Sequence, residues 1–198
     1  DSAPQTHLEA WQRPELLYFL FHEVYKESIF TQLPLLQRMK KQIGEPAAIL
    51  EFGCGTAPVA TSLFEFFSPM NQQVLIADIP TLAFHYAAYK FRRCSNVEPL
   101  VLLPENDFLP VHDGGLDVIF CITVFEHLYN PLKVVDVLHG LLNRGGLLIF
   151  DYAKGAGRGL DTLQGVEQRN EVLDFIISHF DVVDGELSKE KTTQATIA

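Results

Sequence analysis

The chain has 198 residues, of which 47% are hydrophobic and 20% charged, so one domain with a substantial core is expected and disorder is excluded. Its 25 acidic residues outnumber its 15 Lys and Arg, and the net charge of −10 argues against a nucleic-acid partner or a basic membrane-binding face. No apolar run reaches the roughly 20 residues of a membrane span, and the start of the chain lacks the pattern of a signal peptide. The three cysteines are widely spaced, which favours reduced thiols and a cytoplasmic location.

The first 44 residues predict a helical arm. Apolar side chains follow a helical spacing over residues 14–30, and a second helix is expected over residues 31–43, with Gly44 as its stop. We expect this arm, residues 1–44, to pack on the domain formed by residues 45–198.

From residue 45 onward, short apolar runs alternate with amphipathic segments, a pattern typical of a parallel sheet wrapped by helices. The predicted helices cover residues 59–67, 81–92, 132–142 and 171–179. The predicted strands cover residues 47–52, 74–78, 101–102, 116–121, 147–150, 180–183 and 193–197, the last two joined as a hairpin around Gly185. The predicted fold class is therefore α/β, with a doubly wound, mostly parallel seven-stranded sheet and an N-terminal helical arm.

A glycine-rich turn follows the first predicted strand, where residues 51–58 read EFGCGTAP. Glycines let the backbone turn tightly and approach a ligand, and Pro58 suits the first turn of a helix. The dinucleotide fingerprint G-x-G-x-x-G would need a glycine where Pro58 stands, so NAD is disfavoured.

Two acidic residues follow neighbouring predicted strands. Asp78 ends the second strand, where its carboxylate can accept two hydrogen bonds from a ribose diol. Asp107 follows the third strand and can accept from an exocyclic amine, while the ring of Phe108 can pack on a purine. Because the carboxyl ends of neighbouring parallel strands line one crevice, these residues and the glycine turn predict a site for an adenosine with a further group attached.

With these motifs, the sequence resembles the class I S-adenosylmethionine-dependent methyltransferases from about Ala47 to the C-terminus. Residues 116–121, 124–128 and 145–149 match further segments of that family. The resemblance implies a Rossmann-like methyltransferase fold and S-adenosyl-L-methionine as the cofactor. The implied cofactor-binding residues are Glu51, Gly53, Cys54, Gly55, Asp78, Ile79, Asp107, Phe108 and Cys121. Ala57 stands where the family often has a third glycine, and alanine fits there if the backbone is not left-handed.

Glu126 and His127, just past the fourth predicted strand, are the predicted catalytic residues. His127 can act as a general base near neutral pH for an acceptor that must lose a proton. The alternative is that His127 bonds a backbone carbonyl and Glu126 positions the following helix. Some relatives bind a divalent metal with a second glutamate three residues before this pair, but Thr123 stands there, so no metal site is predicted.

We therefore predict an S-adenosylmethionine-dependent methyltransferase that acts on a small-molecule or partner-borne acceptor, with residues 154–159 as a basic loop near it. Two alternatives stay open: a non-catalytic nucleotide- or cofactor-binding module of a larger protein and, with weaker support, an NAD-dependent oxidoreductase. For Cys54 and Cys121, packing in the core is the alternative to a role in the site.

Overall fold

The computed structural model describes residues 4–29, 31–67, 71–155 and 160–198, and these confirm the α/β class. Their helices are α1 (Pro4–Trp11), α2 (Leu17–Ile29), α3 (Leu33–Ile43), α4 (Pro58–Phe66), α5 (Leu82–Phe91), α6 (Pro131–Leu141), α7 (Leu163–Glu167) and α8 (Arg169–His179). Their strands are β1 (Ala48–Phe52), β2 (Gln73–Asp78), β3 (Val97–Val101), β4 (Leu116–Cys121), β5 (Leu142–Tyr152) and β6 (Thr193–Ile197). Within those ranges, no helix combines the length and apolar character needed to cross a bilayer.

The chain forms two compact units, and the first, residues 2–111, contains α1–α5 and β1–β3. Its strands run parallel in the order β3-β2-β1, with Phe52 opposite Ala77 and Asp78 opposite Val101. Inside this unit α3 lies against α4, and α2 lies against α5. This register brings the C-terminal ends of β1 and β2 side by side, so the glycine turn and Asp78 are neighbours. The arm boundary at residue 44 stays a prediction.

The second unit, residues 112–198, contains β4–β6 and α6–α8. Strand β4 pairs with β5 in parallel, and β6 pairs with β5 antiparallel. The ring of Phe125, in the turn after β4, stacks on the ring of Tyr152 at the end of β5, with 5.2 Å between the ring centroids. Since both rings are fully buried, this contact fixes the start of the segment that carries Glu126 and His127.

The predicted count of seven strands is wrong, because the described residues hold six. Residues 180–183 form no strand, and the neighbouring pairing is an isolated bridge between Asp184 and Ile197, so the predicted hairpin around Gly185 does not form. Val182 and Val183 are 42% and 46% exposed, so their apolar side chains do not contribute a covered strand face.

Strand β3 lies four residues earlier than the predicted start at residue 101. Glu98 and Pro99 are exposed, so the first part of β3 has no continuous apolar run, and the strand was predicted only from residue 101. Proline is tolerated on an edge strand because its missing N–H faces no partner there. The four predicted helices after residue 45 are confirmed to within two residues at each end, while α1 and α7 were not predicted.

Candidate functional site

The turn after β1 is held against the end of β2. Gly53 and Gly55 have φ of 66° and 53°, a left-handed backbone that favours glycine. The N–H groups of Gly53 and Cys54 both donate to the carbonyl of Ala77, at 2.8 and 3.0 Å. A Cβ added at Gly55 would have no neighbouring atom within 4 Å. The turn therefore presents bare backbone to open space, as a ligand cradle requires.

Glu51 fixes the helix that follows the turn. Its side chain is 4% exposed, and its two carboxylate oxygens accept from the N–H groups of Val59 and Ala60, at 3.0 and 2.9 Å. These donors are the second and third residues of α4, whose N–H groups have no partner within the helix. In this structure Glu51 therefore stabilises the end of the turn by capping the N-terminus of α4.

Asp78 connects the turn to the second strand. Its Oδ2 accepts from the N–H of Gly55 at 2.6 Å, and its Oδ1 accepts from the N–H of Ile79 at 2.7 Å. Burial raises the pKa of Asp78 to about 6, although both hydrogen bonds act to lower it. A carboxylate accepts about four hydrogen bonds, so the two oxygens keep capacity for a diol. The geometry fits a bound ribose beside the turn.

Three non-glycine residues of the predicted site region have a left-handed backbone. Ala57 is fully buried and has φ 60° and ψ 58°, which is a left-handed backbone. Alanine would fit easily only if the backbone were not left-handed, so this residue is strained. Asp107 and Phe108 have φ of 53° and 57°. The side chain of Asp107 is exposed, whereas Phe108 is 7% exposed. The loop after β3 therefore holds a strained turn at the residues expected to meet the adenine.

In the second unit, Glu126 lies in a short helical turn after β4 (Phe125–His127) and is 4% exposed. Within the described ranges, its Oε2 has no hydrogen-bond partner. Burial raises the pKa of Glu126 to about 7, and the charges of Asp161 and Asp151 add to the increase. The N–H groups of Glu126 itself and of Ala153 oppose it. Glu126 is thus a buried carboxyl that can change protonation near neutral pH.

His127 lies beside an aspartate that the sequence did not single out. Its Nδ1 is 3.1 Å from Oδ1 of Asp161, and the two side chains are 24% and 15% exposed. Burial lowers the pKa of His127, while the charge of Asp161 and a hydrogen bond to the Leu160 carbonyl act to raise it. Burial therefore favours the neutral imidazole, which lies beside a carboxylate and also bonds a backbone carbonyl, so both the general-base role and the structural alternative fit His127.

The segment that carries Asp161 is packed tightly against Glu126. The N–H of Thr162 donates to the carbonyl of Glu126 at 3.0 Å, and the hydroxyl of Tyr152 donates to the carbonyl of Gly165 at 2.5 Å. A Cβ added at Gly165 would lie 2.3 Å from the Glu126 carbonyl oxygen. Only glycine allows this approach. The one signal in the sequence was Thr162, a typical cap, which accepts from the N–H of Gly165 at the start of α7.

The remaining predicted positions have simpler settings. Cys54 and Cys121 are buried, and burial raises the pKa of both thiols, which favours the packing role. Lys154 forms an exposed ion pair with Glu190, and residues 156–159 of the predicted basic loop lie outside the described residues. Across the described parts of the chain, no three His, Cys, Asp or Glu side chains are grouped to hold a metal ion.

The described residues define an α/β protein with a glycine turn and a carboxylate at the ends of two neighbouring parallel strands. The sequence model of a family described as "Methyltransferase domain" matches residues 50–148, which is half of the chain. The chain belongs to this family.

A human relative, "Thiol S-methyltransferase TMT1B", is 28% identical over 129 residues, which cover 65% of this chain and 50% of the relative. The chain spans about half the length of the human and rat relatives that it matches.

Two solved structures share the fold. The cyclase SpnF superposes with a TM-score of 0.58 at 16% identity, covering 80% of this chain and 61% of SpnF. The O-MT segment of StiE superposes with a TM-score of 0.57 at 15% identity, covering 78% of this chain and 53% of that segment.

Proposed function

We propose that the chain binds S-adenosyl-L-methionine and transfers its methyl group to a small-molecule acceptor. The observation that carries this proposal is the hydrogen bond from the N–H of Gly55 to Asp78, which joins a bare glycine turn to a diol-binding carboxylate. Membership of the methyltransferase domain family supports the same ligand over NAD.

The first unit would hold the cofactor. Gly53 and Gly55 let the backbone approach its methionine portion, Asp78 and Ile79 bind its ribose, and Asp107 and Phe108 contact its adenine. When bound, the cofactor would supply a methyl group on a sulfonium, which is activated for transfer to a lone pair of the acceptor.

The second unit would supply the proton chemistry. Neutral His127, oriented by Asp161, accepts a proton from an acceptor that must lose one. Glu126 contributes charge beside it, with a protonation state that depends on pH near 7.

The human relative is named for a thiol acceptor, and a thiol needs such a base before it attacks. Thiols therefore belong among the acceptors that are tested with this chain.

Calorimetry with S-adenosylmethionine and with NAD separates the cofactors, and we expect binding of the first alone. Release of S-adenosylhomocysteine with a panel of acceptors then separates an enzyme from a binding module. Cofactor binding without turnover on any acceptor would favour the module, and binding of NAD alone would overturn the proposal. A cytoplasmic location is part of the proposal, supported by three cysteines that are all free thiols.

A further inference from the structure

Helix α1 lies beside two loops of the first unit. The side-chain amide of Gln12, the residue that follows α1, donates to the carbonyl of Pro80 at 2.9 Å. Pro80 comes two residues after Asp78, in the loop that follows β2. Helix α1 also packs against the short helical turn Pro104–Asn106, which follows β3. This segment therefore joins the two loops that carry the residues expected to meet the ribose and the adenine.

The loop after β3 needs support because its backbone is strained. Asp107 and Phe108, which come directly after the Pro104–Asn106 turn, have φ of 53° and 57°. A left-handed backbone is disfavoured for residues other than glycine, so contacts elsewhere must hold it in place. Leu8 of α1 is 6% exposed, so the helix is docked on the unit and does not project into solvent. The packing of α1 on the adjoining turn can supply part of the support that the loop needs.

Helix α1 is too short to be stable on its own. It has eight residues, and isolated helices shorter than about 12–15 residues are marginal in water. Its first turn holds no acidic residue and its last turn no basic residue, so its own side chains do not compensate the helix dipole. The helix therefore depends on its contacts with the rest of the unit. A ligand that stabilises the two loops should stabilise α1 as well.

We infer that docking of α1 is coupled to cofactor binding, and that Gln12 is a positioning residue for the loop that carries Asp78 and Ile79. The inference rests on the proposed function and extends its site to a segment that lies outside the strand ends. The hydrogen bond from Gln12 fixes the chain just past the carboxylate that is expected to bind the ribose. By linkage, releasing α1 weakens cofactor binding by the same factor by which bound cofactor strengthens the docking of α1.

Trp11 makes this coupling measurable, because it is the only tryptophan of the chain and the last residue of α1. Acrylamide should quench the fluorescence of Trp11 less when S-adenosylhomocysteine is bound at saturation. Adenosine alone should give the same protection, because the two loops are expected to meet the nucleoside portion of the cofactor. Binding of S-adenosylhomocysteine, measured by calorimetry, without any change in the quenching of Trp11 would overturn the inference.

Two substitutions at Gln12 test the hydrogen bond. Gln12→Glu keeps the size of the side chain but replaces the donating amide with a carboxylate, so affinity for S-adenosylhomocysteine should fall about 5-fold, the usual effect of one hydrogen bond. Gln12→Lys restores a donor and should recover most of the affinity. Gln37→Glu makes the same change at an exposed position of α3 and should have no effect. Without ligand, all three variants should unfold in urea as the wild type does, because the bond of Gln12 is exposed.

A pair of substitutions at Glu9 tests the helix itself. Glu9 is exposed within α1, where Glu9→Pro interrupts the helix and Glu9→Ala preserves it. Affinity for S-adenosylhomocysteine should fall about 10-fold or more in Glu9→Pro and stay normal in Glu9→Ala.

Unchanged affinity in Glu9→Pro would overturn the coupling, and unchanged affinity in Gln12→Glu would overturn the positioning role of Gln12. Both outcomes leave the proposed methyl transfer intact. Failure of the wild-type chain to bind either S-adenosylmethionine or S-adenosylhomocysteine would remove the proposed function, and this inference with it.

Discussion

The backbone N–H of Gly55 donates to Oδ2 of Asp78 across 2.6 Å. The two residues are 23 positions apart in the chain, yet the carboxylate expected to bind a ribose also fixes the turn expected to approach the rest of the cofactor. Any change at Asp78 therefore acts on both parts of the site at once.

Replacing Asp78 with Asn should weaken binding of S-adenosylmethionine about 10-fold or more, because an amide has one accepting oxygen where the carboxylate has two. Calorimetry at pH 7.5 measures the change. Glu98→Gln, an exposed change on β3 of the same unit, is the matched control and should bind normally. Equal affinities for all three proteins would show that Asp78 has no part in the site.

The pKa of Asp78, raised to about 6, predicts a pH dependence of cofactor affinity. Below pH 6 the carboxyl binds a proton and loses acceptor capacity, so affinity should fall between pH 7.5 and pH 5. The fall should be absent in Asp78→Asn, whose side chain does not titrate. A parallel decline in both proteins would assign the effect to other groups.

Substitutions at Ala57 test whether the backbone is left-handed just before α4. A β-branched side chain is strongly disfavoured at φ 60°, and the position is fully buried, so Ala57→Val should destabilise the fold by about 2 kcal/mol or more. Ala57→Gly removes the backbone penalty but loses a buried methyl and adds unfolded-state entropy, so it should stay within about 1 kcal/mol of the wild type. Urea unfolding measures both, and equal stabilities would contradict the assigned backbone conformation.

Glu126 should make stability depend on pH. Its folded pKa of about 7 lies above the ordinary 4.5, so the folded state binds protons more tightly and loses stability as pH rises from about 4.5 to 7. Glu126→Gln removes this loss. The stability difference between variant and wild type should therefore move in favour of the variant from pH 5 to pH 8, by an amount on the order of 2 kcal/mol. The exposed Glu186→Gln should show no such trend.

Gly165 and Gly140 form a matched pair for testing the packing against Glu126. Gly165→Ala would place a Cβ 2.3 Å from the Glu126 carbonyl oxygen, so it should lower both thermal stability and kcat/KM. A Cβ at Gly140, within α6, meets nothing within 4 Å, and Gly140→Ala should be neutral or stabilise by up to about 1 kcal/mol. Normal activity in Gly165→Ala would show that this contact is not needed to position Glu126.

Much of the scaffold could be predicted from local pattern. Strands β4 and β6 begin and end where expected, because residues 116–121 form a buried, mostly apolar run that follows Gly114 and Gly115, and residues 193–197 include three β-branched side chains. The stretch at 180–183 has a similar composition but pairs only through a bridge at its end. Pairing depends on the partner strand, which composition alone does not reveal.

The site was predictable where it follows strands and not where it depends on distant contacts. Asp78 ends a strand and could be assigned a role from that position. Asp161 reaches His127 from 34 residues along the chain, with no motif to connect them. Arg169 would be expected at the surface, yet it is 5% exposed because backbone carbonyls of residues 188–191 surround its guanidinium. Such residues are found only once the chain is folded.

The left-handed residues Ala57, Asp107, Phe108 and Thr123 all lie in the loops that follow β1, β3 and β4, at the ends of the strands where ligands are expected. A non-glycine residue held there costs stability that the rest of the fold must supply. Directed evolution that selects only for thermal stability should therefore replace these four residues early. The selected variants should unfold at a higher temperature and bind their ligands more weakly.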